Sequence, residues 1–229
     1  MPFFIFVLYF FIMKKNIVLF VLFILPIVAY LFFASGVNSF TKLPVLTKNI
    51  PNLNQDWKTL DGKQITLKNK ITVLGFGGFE VLRNRGNLYN LNSKIYDRYS
   101  EFKDLQFVIV CPTGTENDIK EIIKALKTTG DVSKWIFVFG KSETIKDYYL
   151  KLKLKKDQIN LDFGTPNIYL VDKELNLRGR KVASEKEYKE GYNTFHPSEL
   201  SNEMLDDFKI MLYEYRAALK KNNNATRKI

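Results

Sequence analysis

Few residues of this chain carry side chains that could do chemistry by themselves. The chain has one cysteine, Cys111, and one histidine, His196, among its 229 residues. One cysteine cannot form an intramolecular disulfide or a Cys-x-x-Cys redox pair, and one histidine cannot complete a Cys/His zinc cluster. We therefore predict no metal site and no cofactor. The chemistry that remains open is that of a lone thiol.

Cys111 ends an apolar run, LQFVIV at 105–110, and stands before Pro112. A cysteine at the end of a buried strand is most often a small apolar core residue, and we favour that interpretation. The alternative is a reactive thiol at the C-terminal edge of the sheet, where the sites of α/β proteins cluster. His196 precedes Pro197 at the start of the last predicted helix, where we expect a solvated or capping role.

The elements that must position Cys111 alternate between strands and helices. Three β-branched and apolar runs are typical of strands buried on both faces, namely ITVLGF at 71–76, LQFVIV at 105–110 and WIFVFG at 135–140. Helical spacing follows each of them. A predicted hairpin over 167–180 and a long last helix complete the order. This alternation predicts parallel pairing in the centre of an α/β sheet, with antiparallel strands added by the hairpin.

Gly164-Thr165-Pro166 stands directly before the predicted hairpin. A proline just before a strand is otherwise only a turn signal. In this order of elements, however, its place is similar to that of the cis-proline of thioredoxin-like proteins, which faces the end of the first βα unit. We therefore expect a thioredoxin-like mixed central sheet flanked by helices, and a cis bond before Pro166.

The N-terminal region predicts a membrane anchor. Residues 17–34 are apolar and uncharged, and as a helix they would span roughly 27 Å, about the thickness of a hydrocarbon core. Lys14 and Lys15 precede this run, so the positive-inside rule places residues 1–16 in the cytoplasm. We predict one transmembrane helix over 17–36 in a bacterial inner membrane, with the domain in the periplasm.

Two alternatives stay open at this end of the chain. A cleaved signal peptide competes with the uncleaved anchor, which we favour because Phe32-Phe33-Ala34 lacks the small residue three positions before a cut. Met13-Lys14-Lys15-Asn16 looks like an ordinary bacterial export start, which would make residues 1–12 a start-site artefact. The other interpretation of residues 1–12 is one arm of a helical hairpin, which two lysines at its turn disfavour.

Beyond the anchor we divide the chain into three parts. Residues 37–56, with Pro44 and Pro51, predict a stalk; residues 57–220 form the domain; and the polar residues 221–229 predict a disordered tail. The formal net charge is +11, and the lysines and arginines are scattered along the whole chain. A membrane-tethered domain rarely meets nucleic acid, so we expect a solvated basic surface and no nucleic-acid partner.

Four stretches between residues 57 and 215 stand out in their order and spacing. They read WKTLDGKQITLKNKITVLGFGG, FVIVCPTGTENDIKEIIKAL, WIFVFGKSETIKDYYLKL and GTPNIYLVDKELNLRG. Together they resemble the Sco/SenC family of copper chaperones for cytochrome oxidase, namely its entry hairpin with the first core strand, its next strand and helix, its Trp-strand-Gly-helix unit and its proline region with the last hairpin. Peroxiredoxins and TlpA-like reductases share several of these stretches, so it is their order and spacing together that favour Sco.

The resemblance implies a copper site whose ligands this chain lacks. The family binds copper through a Cys-x-x-x-Cys pair after the first core strand and a histidine before the last hairpin. These positions fall at about Phe79, Arg83 and Gly164. A phenyl ring and a glycine offer no donor atom, and a guanidinium stays protonated, so none of the three replaces a thiolate or an imidazole. Copper binding and thiol redox chemistry therefore do not carry over.

A retained scaffold with a deleted site favours a non-catalytic role. We expect a ligand-free Sco-like domain that serves as a binding or assembly factor in the cell envelope, with the membrane and an envelope protein as its partners. The alternative from the enzyme class is a thiol peroxidase or thiol-transfer enzyme that uses Cys111. A plain structural protein of the envelope is the third hypothesis.

Overall fold

A computed structural model describes residues 17–31, 42–181 and 188–226 of the chain. The chain divides into two compact units, Met1–Thr41 and Lys42–Ile229. In the first unit, residues 17–31 form helix α1. No helix within the described ranges is long and apolar enough to cross a membrane. The rest of the predicted anchor, residues 32–36, and the predicted cytoplasmic segment 1–16 lie outside those ranges, so the anchor stays a prediction.

Strands of the second unit follow the apolar runs of the sequence. In chain order they are β1 Val45–Thr47, β2 Lys58–Thr59, β3 Ile71–Gly77, β4 Leu105–Pro112, β5 Trp135–Gly140, β6 Gly164–Val171, β7 Leu177–Arg178, β8 Arg180–Lys181, β9 Tyr188–Lys189 and β10 Tyr192–Asn193. Within the described residues, eight of them form one sheet in the order β1-β7-β6-β3-β4-β5-β2, with β10 paired to β6. The central strands β3, β4 and β5 are parallel, whereas β6 runs antiparallel to β3 and β7 antiparallel to β6.

Helices cover both faces of this sheet. They are α2 Gly86–Leu91, continued by a π-helical turn Asn92–Tyr96 and α3 Asp97–Tyr99; α4 Glu116–Lys127; α5 Ser142–Lys151; α6 Pro197–Glu199, continued by a π-helical turn Leu200–Met204; and α7 Leu205–Thr226. Side chains of α4 and α7 join one apolar cluster, and Tyr148 and Tyr149 of α5 join a second. This is a thioredoxin-like α/β fold with a mixed central sheet flanked by helices, which confirms the predicted fold class.

Burial on both faces explains the composition of the central strands. Every residue of β4 is buried, including Gln106, whose neighbour in register on β3 is Thr72. The Gln106 amide donates to Thr72 Oγ1 at 2.9 Å and to the Thr66 carbonyl at 3.0 Å. These two bonds pair the side-chain amide nitrogen that Gln106 buries within β4.

The boundaries of the domain differ from the sequence expectation at both ends. Residues 42–56 belong to the fold and not to a stalk, because β1 pairs with β7 and three apolar side chains, Leu43, Ile50 and Leu53, are buried. Because β1 is short and irregular in register, its sequence shows no alternation of apolar and polar residues that would predict a strand. At the other end α7 continues to Thr226, which makes most of the predicted tail helical.

Arg178 ties four parts of the domain together. It lies at the end of β7 and is only 7% exposed. Its Nη1 contacts Asp172 Oδ2 at 3.0 Å, its Nη2 contacts Glu214 Oε2 at 2.8 Å, and its Nε donates to the Leu43 carbonyl at 3.0 Å. The buried guanidinium therefore joins the N-terminal segment, the β6–β7 turn and α7.

We predict that Arg178→Met destabilises the domain severely, because it leaves the buried Asp172 carboxylate without its cation. The free energy of unfolding should fall by about 3–5 kcal/mol. Chemical denaturation followed by the fluorescence of the buried Trp57 and Trp135 measures it. The control is Arg83→Met, which removes an arginine whose side chain is 82% exposed and should change the midpoint little. Equal midpoints for the two variants would show that the network does not hold the domain together.

Candidate functional site

Two loops meet at the C-terminal end of β3, close to Phe79 and Gly164, two of the positions to which the resemblance assigns copper ligands. Gly77 is the register partner of Gly164 across β3 and β6. The Phe79 N–H donates to the Asp162 carbonyl at 2.8 Å, and the Asn160 N–H donates to the Gly164 carbonyl at 2.8 Å. We call residues 77–79 and 160–164 the loop junction. Its two sides are held together by main-chain bonds.

Glycines make this close approach possible. Gly78 has a left-handed backbone, with φ +67°, and a Cβ added there would lie 2.7 Å from the Gly164 nitrogen. A Cβ added at Gly164 would lie 3.0 Å from the Gly77 carbonyl oxygen. Contacts this short against backbone atoms cannot be relieved by a side-chain rotation. A histidine at position 164 would therefore require the two loops to separate.

The other two positions to which the resemblance assigns copper ligands, Phe79 and Arg83, are exposed. The Phe79 side chain is 47% exposed, and its ring packs edge-on against Phe163 with centroids 6.1 Å apart. Arg83 is exposed and pairs with Glu80 at 3.7 Å. The structure thus brings Phe79 and Gly164 together at the loop junction, while Arg83 points to an exposed acidic neighbour.

The expected cis bond before Pro166 is wrong. The described residues contain no cis peptide bond, and the chain turns instead at Phe163, whose φ of 62° is left-handed. The trans isomer is the intrinsically preferred form of an X–Pro bond. With the turn made three residues earlier, Pro166 lies within β6, and its carbonyl accepts from the Thr194 N–H at 2.9 Å and the Thr194 hydroxyl at 2.6 Å.

Cys111 is buried in the apolar core beneath the loop junction. Its side chain is fully inaccessible, and a Cβ added at Gly77 would lie 2.9 Å from its sulfur. Burial raises the pKa of the thiol to about 12. A nucleophilic cysteine needs an accessible thiolate near neutral pH. The structure therefore supports the core interpretation and argues against the enzyme that would use Cys111.

His196 lies on the surface, as expected for a solvated residue. Its ring is 64% exposed and its Nδ1 lies 3.7 Å from Glu199 Oε2. It stands at the N-cap position of α6, but its side chain makes no capping bond. The first turn of α6 is instead closed by a main-chain bond, in which the Glu199 N–H donates to the His196 carbonyl at 3.0 Å.

A small cavity opens beside the loop junction, and sequence reasoning missed it. Its volume is about 60 Å³. Its lining includes the apolar side chains of Leu88, Ile109 and Ile168, and the polar residues Asn84, Asn87, Asn160, Asp162, Thr165 and Thr194. We call it the Asn87 cavity. Its residues come from four separate parts of the chain, namely 75–88, Ile109, 160–168 and 194–195, so no local spacing could have indicated it.

Exposed apolar side chains surround this edge of the domain. Phe79, Leu161 and Phe195 are 47%, 101% and 52% exposed, and Phe195 also lines the Asn87 cavity. We call these three residues together with Phe163 the apolar rim. Within the rim the rings of Phe79 and Phe163 are in contact, and exposed apolar patches are typical of surfaces that contact another protein.

Comparisons with known proteins give likenesses of structure only. No protein-family model and no curated protein matches the chain. Similar solved structures include BsSco, a member of the Sco family of cytochrome c oxidase assembly proteins, at 14% identity over 71% of this chain and 99% of that one, with a TM-score of 0.45. Yeast Sco1 with copper bound is similar at 13% identity over 72% and 90% of the two chains, with a TM-score of 0.45. The thioredoxin domain of a thiol-disulfide oxidoreductase from Bacteroides vulgatus is similar at 20% identity over 74% and 99%, with a TM-score of 0.43.

One of these structures, BsSco, is a member of the family that the sequence resembles. The single cysteine of this chain cannot form that family's Cys-x-x-x-Cys pair. At such identities and TM-scores the assignment of the fold depends on the chain's own strand order and residues.

We predict that the Cys111 thiol resists labelling until the domain unfolds. Because it is buried and its pKa is raised to about 12, N-ethylmaleimide should react at least about 100-fold more slowly with the native than with the denatured protein, and raising the pH from 7 to 9 should not abolish this protection. The control is the double variant Cys111→Ala, Phe79→Cys, whose thiol replaces an exposed side chain and should label rapidly. Fast native labelling of Cys111 would restore the thiol-enzyme hypothesis.

We predict that Asn87→Leu stabilises the domain, because the Asn87 side-chain oxygen is buried without a hydrogen-bond partner. The free energy of unfolding should rise by about 1–2 kcal/mol. The matched control is Asn92→Leu five residues on, where the amide accepts from Trp135 Nε1 at 3.0 Å and donates to Asp97 at 2.9 Å. That variant should lose about 1–3 kcal/mol. The same sign of change in both variants would contradict the assignment of Asn87 as unpartnered.

Proposed function

We propose that this chain is a membrane-anchored, exported Sco-like protein that acts without catalysis as a binding or assembly factor in the cell envelope. The observation that carries the proposal is the loop junction. At the edge where the Sco resemblance places copper ligands, the chain has main-chain bonds between two loops and an apolar rim around them.

A binding role agrees with the chemistry that this edge offers. Phe79 and Gly164 supply no metal donor, and the thiol of Cys111 lies in the core. Exposed Phe and Leu side chains, by contrast, gain free energy when a partner removes them from water. The edge is therefore suited to contact with a protein surface.

Anchoring in the bacterial inner membrane is supported by the first part of the sequence. Residues 17–34 are apolar and uncharged, and Lys14 and Lys15 precede them. Residues 17–31 are helical, as a membrane-spanning segment would be. We propose that the run over 17–36 holds the protein in the membrane, with the N-terminus cytoplasmic and the domain in the periplasm.

An envelope protein is the partner class we propose, and the assembly of a respiratory complex is the setting. The four stretches that resemble the Sco family support this setting. The apolar rim supports a protein partner over a small-molecule substrate, because its exposed groups lie on the outer surface of the loops.

Site-specific photocrosslinking in intact cells tests the proposal. A photoreactive phenylalanine analogue replaces Phe195 on the apolar rim or, as control, Leu150 on α5, which is 63% exposed. We expect a discrete protein adduct from position 195 and none from position 150, in membranes that keep the full chain through a carbonate wash. Equal adducts at both positions, or none at 195, would contradict the binding role. Release of the chain by carbonate would contradict the anchor alone.

A further inference from the structure

A groove opens beside the first half of β5. Strand β2 has only two residues and pairs with β5 only opposite Val138 and Phe139. Within the described part of the chain, residues 135–137 therefore have a neighbouring strand on the β4 side alone. The groove has a volume of about 620 Å³, and none of its lining residues belongs to the apolar rim or to the Asn87 cavity. We call it the β5 groove.

Three partly exposed isoleucines line the β5 groove. Ile123 lies on α4 and packs against the apolar cluster on one face of the sheet. Ile65 follows β2 and Ile136 lies on β5, and both pack against the cluster on the other face. The groove therefore crosses the edge of the sheet, with apolar groups on both sides. An occupant that removes these groups from water gains free energy.

The charged residues of the β5 groove are mostly lysines. Its lining holds four lysines and a single acidic residue, Asp61. The lysines are all exposed and are Lys63, Lys120, Lys124 and Lys127. Among the described residues none of the four lies within ion-pair distance of a carboxylate. The groove therefore combines apolar surface with cations that lack an anionic partner, which is the complement of an acidic ligand.

The spacing of the lysines on α4 favours an extended ligand. Lys120 and Lys124 are four residues apart, so they lie on the same face of the helix with a rise of about 6 Å between them. In an extended chain, side chains two residues apart lie on one face at roughly 6.6 Å. Carboxylates at alternate positions of an extended segment would therefore match successive lysines of α4. The intervening side chains would then lie on the opposite face of the segment.

We propose that the β5 groove binds an extended acidic segment of another protein, in which carboxylates alternate with apolar side chains. The carboxylates contact Lys120, Lys124 and Lys127, and the apolar side chains cover Ile65 and Ile136. Nucleic acid and lipid headgroups carry anions but no apolar side chains at this spacing, so the groove fits a peptide better than either. This surface goes beyond the proposed function and does not depend on it.

Fluorescence anisotropy with labelled peptides tests the proposal on the full chain in neutral detergent micelles. The probe alternates three glutamates with two isoleucines. One comparison peptide replaces its glutamates with glutamine, and another replaces its isoleucines with serine. We expect the probe to bind at least about tenfold more tightly than the glutamine peptide and at least about fivefold more tightly than the serine peptide. About 0.5 M salt should weaken its binding, because salt screens exposed charges.

A matched pair of charge reversals locates the binding site. Lys124→Glu should weaken binding of the probe at least about fivefold. Lys146→Glu makes the same change of net charge on the exposed surface of α5 and should leave binding nearly unchanged. Both lysines are exposed, so both variants should keep the unfolding midpoint of the wild-type chain. Equal weakening in the two variants would overturn the proposal, because it would show attraction to the net charge alone.

Two further results would also contradict the proposal. One is equal binding of the glutamate and glutamine peptides, or no binding of the probe at all. The other is displacement of the probe by phosphatidylglycerol vesicles or by an oligothymidylate at a lower concentration of charge than by unlabelled peptide, which would assign the groove to lipid or nucleic acid. A crosslinked partner at position 195 is a separate result, so this proposal and the proposed function can fail independently.

Discussion

The main-chain contact between Gly77-Gly78 and Asp162-Gly164 is the constraint on which this end of the molecule depends. It joins the end of β3 to the start of β6 by direct pairing and by the Phe79–Asp162 bond of 2.8 Å. A side chain at Gly78 would meet backbone atoms at 2.7 Å, and one at Gly164 would meet the Gly77 carbonyl oxygen at 3.0 Å, so backbone fills the space between the two loops. Side chains next to this contact belong to the apolar rim or line the Asn87 cavity.

Groups that are unfavourable in the isolated chain occur at this edge and elsewhere in the domain. At this edge they are the unpartnered buried oxygen of Asn87 and the exposed rings of Phe79 and Phe195. Elsewhere Asp157 Oδ2 is a second buried oxygen without a hydrogen-bond partner, and Leu150 is an exposed apolar side chain. The buried charge of Arg178, by contrast, is paired with two carboxylates.

The sequence predicted the central fold because that part of the molecule is encoded locally. Runs buried on both faces, such as 71–76 and 105–110, match β3 and β4 to within one or two residues, and the strand predicted to bury Cys111 does so. The short β1 escaped prediction because its three residues acquire strand geometry only by pairing with β7. The isomer of the Thr165–Pro166 bond was not predicted correctly, because the turn at Phe163 depends on tertiary structure. The Asn87 cavity is lined by four separate parts of the chain and has no local signature in any of them.

Our central claim is that this edge, where main-chain contacts join two loops, binds no copper ion. A competitive titration of the full chain with Cu(I), against a chromophoric chelator, tests that claim most directly. We predict that the chelator keeps all of the copper at micromolar protein, because Phe79, Arg83 and Gly164 offer no thiolate or imidazole. One equivalent of copper withdrawn by the native chain, and returned when it is denatured, would contradict the account.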